Sequence, residues 1–456
     1  MASGGEAVGR GPASGAGPGK VVFVPYAAPG DKARVEFVED RKAYSRARLM
    51  GLEKASPERV SPPCPYFFQG THDRKWCGGC NWQHLNYAYQ IGTKQRLLGE
   101  ALERIGKFRN PAVEETLPLG EPWRYRQKVQ VPFRMLAGRP AFGFYASGSH
   151  DLVEFEDCLV QPEACAAVLQ TLRQCALEWR WAAYDEDRGA GWLRHVALRI
   201  NQRSEMLVTL VTRTRAFPEA RAFCERLTSA HPNVLGIHQN VNTERTNRIL
   251  GRDWKKLRGN ETLHYEVGPL RLGVSPASFF QVNETAARLL CETVDQFLMG
   301  EGENWGILLD LYCGVGLFGL FLAHRARKVI GIEETPQAIR DARANQVRNH
   351  AGNARFQAVS LDHGLPGWLW DECSALRIAA VMDPPRTGLA PRLIRDLQKL
   401  RPNPLIYVSC DAATLARDLA LLCQGPYVLR KVKPLDLFPQ TPHIESVSLL
   451  TLRSHA

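Results

Sequence analysis

The sequence predicts an α/β protein whose carboxyl-terminal part is a doubly wound, Rossmann-like domain, preceded by a small β-barrel and a central α+β domain. In the last part of the chain, strand-like apolar runs lie at 307–312, 328–333, 354–359, 377–383, 404–409, 426–432 and 446–452. Helical stretches separate several of these runs, at about 335–350, 390–400 and 411–423. This alternation is typical of a doubly wound sheet, here with seven strands. The loop between the last two runs is too short for a crossover helix, so these strands are predicted to pair antiparallel.

The predicted domains cover residues 1–60, 61–265 and 266–456. The first 19 residues are rich in Gly, Ala, Ser and Pro and are expected to be flexible, whereas short β runs from Lys20 onwards predict a barrel. The central part combines a helix near 87–106 with β patterns that continue to about residue 265. The barrel carries several basic residues, which suit either nucleic-acid binding or a solvated charged face: Lys32, Arg34, Arg41, Lys42, Arg46 and Arg48.

Composition favours an anionic partner and a reducing compartment. The net charge is 58 − 47 = +11 over 456 residues, which favours a polyanion such as RNA. No apolar run approaches the roughly 18 residues that a membrane span needs, and the amino terminus lacks the apolar core of a signal peptide. We therefore expect a cytoplasmic monomer without membrane contact. The twelve cysteines are then expected to serve metal binding, catalysis or the core rather than disulfides.

A glycine-rich turn follows the first strand of the α/β domain. The strand at 307–312 ends at Tyr312 and leads into Gly314 and Gly316, which permit a tight turn and close approach of a ligand to the backbone. Glu333 ends the next strand, 19 residues after Gly314, where a carboxylate can accept hydrogen bonds from ribose hydroxyls. On this pattern alone, a nicotinamide dinucleotide and S-adenosylmethionine are equally good candidates, and a purely structural turn is the third.

A thiol and two carboxylates are predicted to meet at the same edge of the sheet. Asp383 ends the fourth strand and Cys410 follows the fifth, while Glu445 begins the antiparallel last strand. This set suits methylation of carbon 5 of uracil, because a thiolate that adds to carbon 6 makes carbon 5 nucleophilic. Cys410 would be the nucleophile, Glu445 the base that removes the carbon-5 proton, and Asp383 a polar anchor. Taken singly, they could instead be a buried cysteine, a turn-capping Asp and a surface Glu.

Four cysteines nearer the amino terminus form a candidate metal site. Twelve residues separate Cys64 from Cys77, which is followed closely by Cys80, and Cys158 is the expected fourth member. Four thiolates hold either zinc, which is the usual interpretation of such a pattern, or an iron–sulfur cluster. A basic and aromatic stretch at 123–128 offers stacking surfaces for RNA, or is an ordinary amphipathic strand.

Together these segments resemble the RNA 5-methyluridine methyltransferases over nearly the whole chain. The shared motifs are Cys77-Gly78-Gly79-Cys80, Tyr125-Arg126-Gln127-Lys128, Gly148-Ser149-His150-Asp151, Leu193-Arg194-His195, Gln239-Asn240-Val241-Asn242, Ser278-Phe279-Phe280-Gln281-Val282-Asn283, Asp383-Pro384-Pro385-Arg386, Val408-Ser409-Cys410-Asp411 and His443-Ile444-Glu445. The resemblance implies a class I S-adenosylmethionine-dependent methyltransferase domain behind a TRAM barrel, which is an RNA-binding module at about residues 20–60.

The resemblance also implies roles for individual residues. Those implied to contact S-adenosylmethionine are Gln281, Tyr312, Glu333 and Asp383, and Cys410 and Glu445 keep the roles of nucleophile and base. The ribosomal branch of the family carries a [4Fe–4S] cluster, here on Cys64, Cys77, Cys80 and Cys158. Because the transfer-RNA branch generally lacks that cluster and the barrel, 23S ribosomal RNA is the expected substrate and transfer RNA the alternative.

The chain departs from the family pattern at three points, of which one is the first strand of the barrel, expected at residues 4–10, which is short, glycine-rich and incomplete. The spacing after Cys64 is longer than usual and contains His72, a further candidate ligand, and Leu317 stands where members often have Asn. Two other functions compete with methylation: an RNA-binding factor that keeps the fold without catalysis, and a nicotinamide-dependent oxidoreductase. The retention of Cys410, Asp383 and Glu445 argues against both.

Overall fold

The amino-terminal part is a four-stranded sheet. The computed structural model describes residues 1–10, 19–186, 188–246, 248–302, 304–374 and 376–453. The first strands are β1 (Ala7–Arg10), β2 (Val21–Val24), β3 (Lys32–Asp40) and β4 (Tyr44–Lys54), in the order β1-β2-β4-β3. Residues 7–10 are thus a strand paired with β2 rather than a flexible segment, and residues 11–18 lie outside the described ranges. No ladder within those ranges joins β1 to β3, so the expected barrel is an open sheet.

The central part is built on a seven-stranded sheet with helices on one face. Its elements are β6 (Lys128–Leu136), β7 (Arg139–Tyr145), β8 (Leu152–Glu154), α2 (Glu163–Glu178), β9 (Leu193–Ile200), β10 (Met206–Thr212), α3 (Ala220–Ala230), β11 (Val234–Val241) and β12 (Asp253–Gly259), after α1 (Tyr87–Arg104) and β5 (Leu117–Pro118). The strand order is β12-β11-β10-β9-β6-β7-β8. Strand residues alternate between faces, and the apolar face, which includes Val131, Val196 and Val208, packs with Val168 of α2 and Phe223 of α3.

The carboxyl-terminal part contains the predicted doubly wound sheet. After the hairpin β13 (Leu263–Val267) and β14 (Leu270–Val274), its elements are α4 (Glu284–Met299), β15 (Trp305–Leu311), α5 (Leu317–Phe321), a 3-10 turn (Ala323–Arg325), β16 (Ala326–Glu333), α6 (Pro336–Arg348), β17 (Ala354–Ala358), α7 (Gly367–Glu372), β18 (Ile378–Met382), α8 (Pro391–Leu400), β19 (Leu405–Ser409), α9 (Ala412–Gln424), β20 (Tyr427–Asp436) and β21 (Glu445–Leu452). The seven predicted strands are all present, and the last two pair antiparallel as expected.

The sheet differs from the prediction by one strand. Its order is β17-β16-β15-β18-β19-β21-β20-β5, so β5, which precedes the central domain, adds an eighth strand parallel to β20. Helix α1 also belongs here, because Leu98 and Leu102 are buried in the same core as Leu309 and Tyr407. Helix α1 and strand β5 therefore pack against the carboxyl-terminal sheet and not within the central domain. In the described part of the chain, no helix combines the length and apolar composition that a membrane crossing requires.

Candidate active site

The glycine turn after β15 has the backbone conformation that its sequence predicts. Tyr312, Gly314 and Gly316 have φ angles of 62°, 53° and 85°, in the left-handed region that glycine adopts without steric cost. A Cβ atom on Gly316 would lie 2.9 Å from the ring of Phe356, whereas a Cβ atom on Gly314 would meet no protein atom within 4 Å. Gly316 is therefore required by internal packing, and Gly314 leaves open space beside the backbone.

That open space is part of a cavity of about 310 Å³. Its lining residues are Phe279, Phe280, Gln281, Tyr312, Cys313, Gly314, Val315, Leu317, Phe318 and Asp383. The amide of Gln281 donates a hydrogen bond of 3.2 Å to the carboxylate of Asp383. Predicted cofactor residues from three segments of the chain thus meet at one cavity, and its mixed aromatic and carboxylate walls fit a nucleoside that carries a positive charge. Leu317 contributes an apolar wall where the resemblance suggested an amide.

Glu333 lies beside the cavity rather than among its lining residues. It ends β16, the neighbour of β15, and one carboxylate oxygen accepts a hydrogen bond of 2.8 Å from the backbone N–H of Thr335. Its other oxygen has no partner among the residues that the structure describes. Contact between Glu333 and a ribose stays a prediction.

Asp310, to which the sequence assigned no role, lies in β15 and is hydrogen-bonded to the segment that follows the glycine turn. One oxygen of this buried carboxylate accepts a 2.7 Å hydrogen bond from the N–H of Gly319, and the other has no partner within the described ranges. Burial raises the pKa of Asp310 to about 7. The sequence could have indicated this role, because Asp310 is an acid within an otherwise apolar strand and a buried carboxylate needs a specific partner.

The predicted reaction centre is assembled at the edge of the same sheet. Ser409 pairs with Ser446 across β19 and β21, so Cys410 and Glu445 are the next residues along the two antiparallel strands. Burial and the neighbouring carboxylates of Glu445 and Asp383 raise the pKa of the Cys410 thiol to about 11. Burial raises the pKa of Asp383 to about 7, and burial together with Asp383 raises the pKa of Glu445 well above its usual range. The three groups therefore share a confined space and compete for protons.

Arg386 is the cation of this centre and was not singled out from the sequence. It is exposed, follows Asp383 by three residues, and its charge and hydrogen bond to the sulfur act to lower the pKa of Cys410. The same guanidinium acts to lower the pKa of Glu445. Its sequence position could have indicated this role, because the loop after β18 lies at the same sheet edge as the loop that begins at Cys410.

The four candidate cysteines line a second cavity, of about 370 Å³. Cys64, Cys77, Cys80 and Cys158 all border it, and the N–H of Gly79 donates to the sulfur of Cys77 at 3.4 Å. Cys64 lies with the other three cysteines despite the twelve residues that separate it from Cys77. No three His, Cys, Asp or Glu side chains in the described part of the chain are arranged to hold a metal ion. The four thiols border one space.

The insertion after Cys64 folds onto the amino-terminal sheet. A ring nitrogen of His72 lies 2.9 Å from the carbonyl oxygen of Leu49, and Phe68 stacks on Tyr26 with ring centroids 4.6 Å apart. His72 therefore contacts the sheet and is not a ligand in the cysteine cavity.

Basic side chains at 123–128 and in the amino-terminal sheet, which the sequence suggested for RNA binding, make contacts within the protein. Arg124 makes hydrogen bonds of 2.7 and 2.6 Å to Asp157 and also bonds the carbonyl of Cys158, so it braces the loop that carries a cavity cysteine. Arg126 lines the cysteine cavity. In the amino-terminal sheet, Arg46 and Lys32 are engaged in ion pairs, which fits a solvated charged face.

Comparison with known proteins gives consistent matches along the chain. A family model described as tRNA (Uracil-5-)-methyltransferase matches residues 204–364 and 372–453, and a TRAM domain model matches residues 2–50. An uncharacterized RNA methyltransferase of Halalkalibacterium halodurans is 38% identical over 437 residues, which cover 96% of this chain and 93% of that protein. Another from Bacillus cereus is 36% identical over 443 residues, covering 96% and 94%.

A solved structure shares the whole architecture. The Pyrococcus abyssi tRNA (uracil-54, C5)-methyltransferase in complex with S-adenosyl-L-homocysteine is similar with a TM-score of 0.75 and 27% sequence identity. The match covers 98% of this chain and 99% of that one. The likeness therefore includes the amino-terminal sheet as well as the carboxyl-terminal domain.

Proposed function

The chain belongs to the tRNA (uracil-5-)-methyltransferase family and is an S-adenosylmethionine-dependent RNA methyltransferase. From this premise we propose that it methylates carbon 5 of a uridine in 23S ribosomal RNA, through a covalent bond between Cys410 and carbon 6. The observation that carries the proposal is the meeting of Cys410, Glu445 and Asp383 at one sheet edge beside the Gln281 cavity. An oxidoreductase has no use for this set, and a binding factor does not need it.

The first step requires the thiol of Cys410 to lose its proton. Asp383, whose pKa is raised to about 7, is the carboxylate that accepts that proton, which leaves Glu445 for the last step, and the charge of Arg386 stabilises the resulting thiolate. The sulfur then bonds to carbon 6 of uracil, which moves electron density onto carbon 5 and the adjacent carbonyl oxygen. S-Adenosylmethionine supplies a methyl group activated by its sulfonium centre.

The last step falls to Glu445. Once carbon 5 carries both the methyl group and its original hydrogen, a carboxylate must remove that hydrogen as a proton. The electrons of the broken carbon–hydrogen bond form the carbon 5–carbon 6 double bond, and the carbon–sulfur bond breaks with its electrons returning to Cys410. A buried base with a raised pKa suits this transfer, because its proton affinity is increased.

We propose an iron–sulfur cluster in the cysteine cavity as a second cofactor. Cys64, Cys77, Cys80 and Cys158 offer the four thiolates that a [4Fe–4S] cluster takes, and the Gly79 N–H offers a hydrogen bond to a ligand sulfur. A cluster is larger than one ion, which suits thiols that border one space. Such a cluster would brace the loops around these cysteines and supply no group to the methylation steps.

Iron analysis tests the cluster directly. Protein purified without oxygen should contain about four irons per chain, and Cys64→Ser should lower that content sharply. Cys291→Ser is the matched control, since Cys291 is buried and does not line the cavity. One zinc per chain, or equal iron in both variants, would contradict the cluster.

The choice of RNA depends on two opposed observations. The amino-terminal sheet and the four-cysteine cavity are features that the resemblance associates with the ribosomal branch. The full-length likeness to a transfer-RNA enzyme favours transfer RNA as the second candidate. Incubation with labelled S-adenosylmethionine and unmodified 23S ribosomal RNA or transfer RNA transcripts should place the label in 5-methyluridine of the ribosomal transcript. Label in transfer RNA alone would replace the substrate, and label in neither would overturn the proposed reaction.

A further inference from the structure

Lys128 lies near the active site and has no acidic partner among the described residues. Lys128 ends the segment Tyr125-Arg126-Gln127-Lys128 and is the first residue of β6. Gln127 exchanges hydrogen bonds with Glu284, and its N–H donates to the carbonyl of Val282, so this segment is joined to the residues that lead into α4. Lys128 begins β6 on the other face of the sheet from the helices and makes no ion pair with any described residue.

Lys128 lies directly across the sheet from another cation. Cross-strand pairing sets Lys128 opposite Arg199, and like charges in such positions repel. Arg199 is only 4% exposed; its guanidinium donates to the carbonyl of Ser278, while its Nε has no partner in the described structure. Burial and the charge of Arg199 lower the pKa of Lys128 to about 7. Folding has therefore placed two cations together at a cost in stability.

Neither cation of this pair forms an ion pair with an acid in the described part of the chain. Glu284, which is bonded to the neighbouring Gln127, also accepts hydrogen bonds from the backbone N–H groups of Gln202 and Glu266. Its carboxylate is thus committed to holding those segments together. Two cations without a counter-charge have the composition of an anion site.

The position of the pair connects it to the reaction. The ammonium of Lys128 is 5.9 Å from the ring centroid of Phe279, close enough for a cation–π contact. That ring is 63% exposed and lines the same cavity as Gln281 and Asp383. An RNA strand whose base enters the site beside Asp383 would carry its backbone past Lys128.

We propose that Lys128 and Arg199 form a binding site for one phosphate of the RNA backbone adjacent to the target uridine. The inference rests on the proposed function for its substrate. A phosphate supplies the charge that the pair lacks, whereas a neutral uracil ring does not. Lys128 provides a contact beside Phe279, and Arg199 provides a charge held in place by the carbonyl of Ser278. The role is one of positioning, because neither cation reaches the reacting carbon atoms.

The test measures how RNA binding depends on salt. The probe is a fluorescein-labelled oligouridylate, bound to the full-length protein and followed by anisotropy at increasing salt concentration. Lys128→Met should weaken binding about tenfold or more at low salt and reduce the slope of log affinity against log salt by about 0.7, the loss of one contact to a single-stranded phosphate. Lys128→Arg keeps the charge and should retain the slope.

Two further measurements separate this role from a structural one. Without RNA, Lys128→Met should melt at a higher temperature than the wild type, because it removes a buried charge and a cross-strand repulsion. A structural lysine would instead lower the melting temperature. Lys255→Met, an exposed lysine on the opposite face of β12 in the same sheet, is the matched control and should leave both readouts unchanged.

Each result of these measurements either supports or overturns the phosphate site. An unchanged salt slope in Lys128→Met, or an equal reduction in Lys255→Met, would overturn the phosphate site. A lowered melting temperature with a wild-type slope would assign Lys128 to the fold. Oligouridylate binding is measured without methyl transfer, so failure here is distinct from failure of the wild-type protein to methylate any RNA, which would refute the proposed reaction.

Discussion

Replacing Gly314 with Ala tests where the cofactor binds. The substitution places a methyl group in the turn after β15, where no protein atom lies within 4 Å of it. Its cost to the protein alone is that of a left-handed L-residue, about 1–2 kcal/mol. If an adenosyl group lies against this turn, the added methyl occupies its space, and affinity should fall about tenfold or more, equivalent to about 1.4 kcal/mol.

Gly316→Ala is the matched control two residues away. Its φ angle of 85° implies a similar backbone cost, but its added Cβ would lie 2.9 Å from the Phe356 ring and 3.2 Å from Leu320. Overpacking adds about 1–3 kcal/mol, so this variant should lose about 2–5 kcal/mol of stability in total. Its cavity-facing surface is unchanged, because Gly316 does not line the cavity.

Calorimetric titration with S-adenosyl-L-homocysteine and thermal unfolding distinguish the two variants. The expected pattern is a large loss of affinity with a small loss of stability for Gly314→Ala. Gly316→Ala should show the reverse, with affinity near that of the wild type wherever the protein remains folded. Wild-type affinity in Gly314→Ala would refute the placement of the cofactor against this turn.

Two other perturbations address the charges that position the site. Burial raises the pKa of Asp383 to about 7. The stability that this carboxyl contributes is therefore present below its unfolded pKa and is lost as pH rises through about 7. Asp383→Asn should reduce the fall in melting temperature between about pH 5 and about pH 8, and an unchanged profile would contradict this. Lys94→Met should cost about 3–5 kcal/mol in urea unfolding, because the fully buried Asp436 loses its cation. Arg96→Ala, on the exposed side of the same helix, should cost about 0.5 kcal/mol or less, and equal costs would refute the comparison.

Much of the carboxyl-terminal domain could be predicted because its strands are continuous apolar runs. Strands buried on both faces, such as Leu405–Ser409, have this appearance in any sequence. Once the strand order is doubly wound, the ends that carry Asp383 and Cys410 must share one edge. The antiparallel last strand then brings Glu445 to that edge. Local pattern and topology are sufficient here, without knowledge of side-chain packing.

The parts that could not be predicted depend on contacts between distant segments. Nothing near Leu117 indicates that it pairs with Leu435 and extends the sheet. The basic stretch at 123–128 illustrates the same limit, because only the fold shows that Arg124 is bonded to Asp157. Lys128 differs from its neighbours because β9 places Arg199 across from it.

The same limit applies to the chemistry of the site. The sequence places Cys410 near a carboxylate but does not show how strongly burial opposes its ionisation. The structure shows that Glu445 and Asp383 add to that effect and that Arg386 opposes it. Protonation of Cys410 in the ligand-free protein therefore depends on three neighbours, two in the loop after β18 and one at the start of β21.

The most direct test of the account is a comparison of Cys410→Ala with Glu445→Gln on 23S ribosomal RNA transcript and labelled S-adenosylmethionine. Cys410→Ala should neither methylate nor attach to RNA, because carbon 5 never becomes nucleophilic. Glu445→Gln should accumulate RNA that is methylated and covalently bound through Cys410, since loss of the carbon-5 proton is slowed. This species should survive denaturing electrophoresis and carry the label. Normal turnover by Glu445→Gln, or residual activity in Cys410→Ala, would contradict the proposed roles.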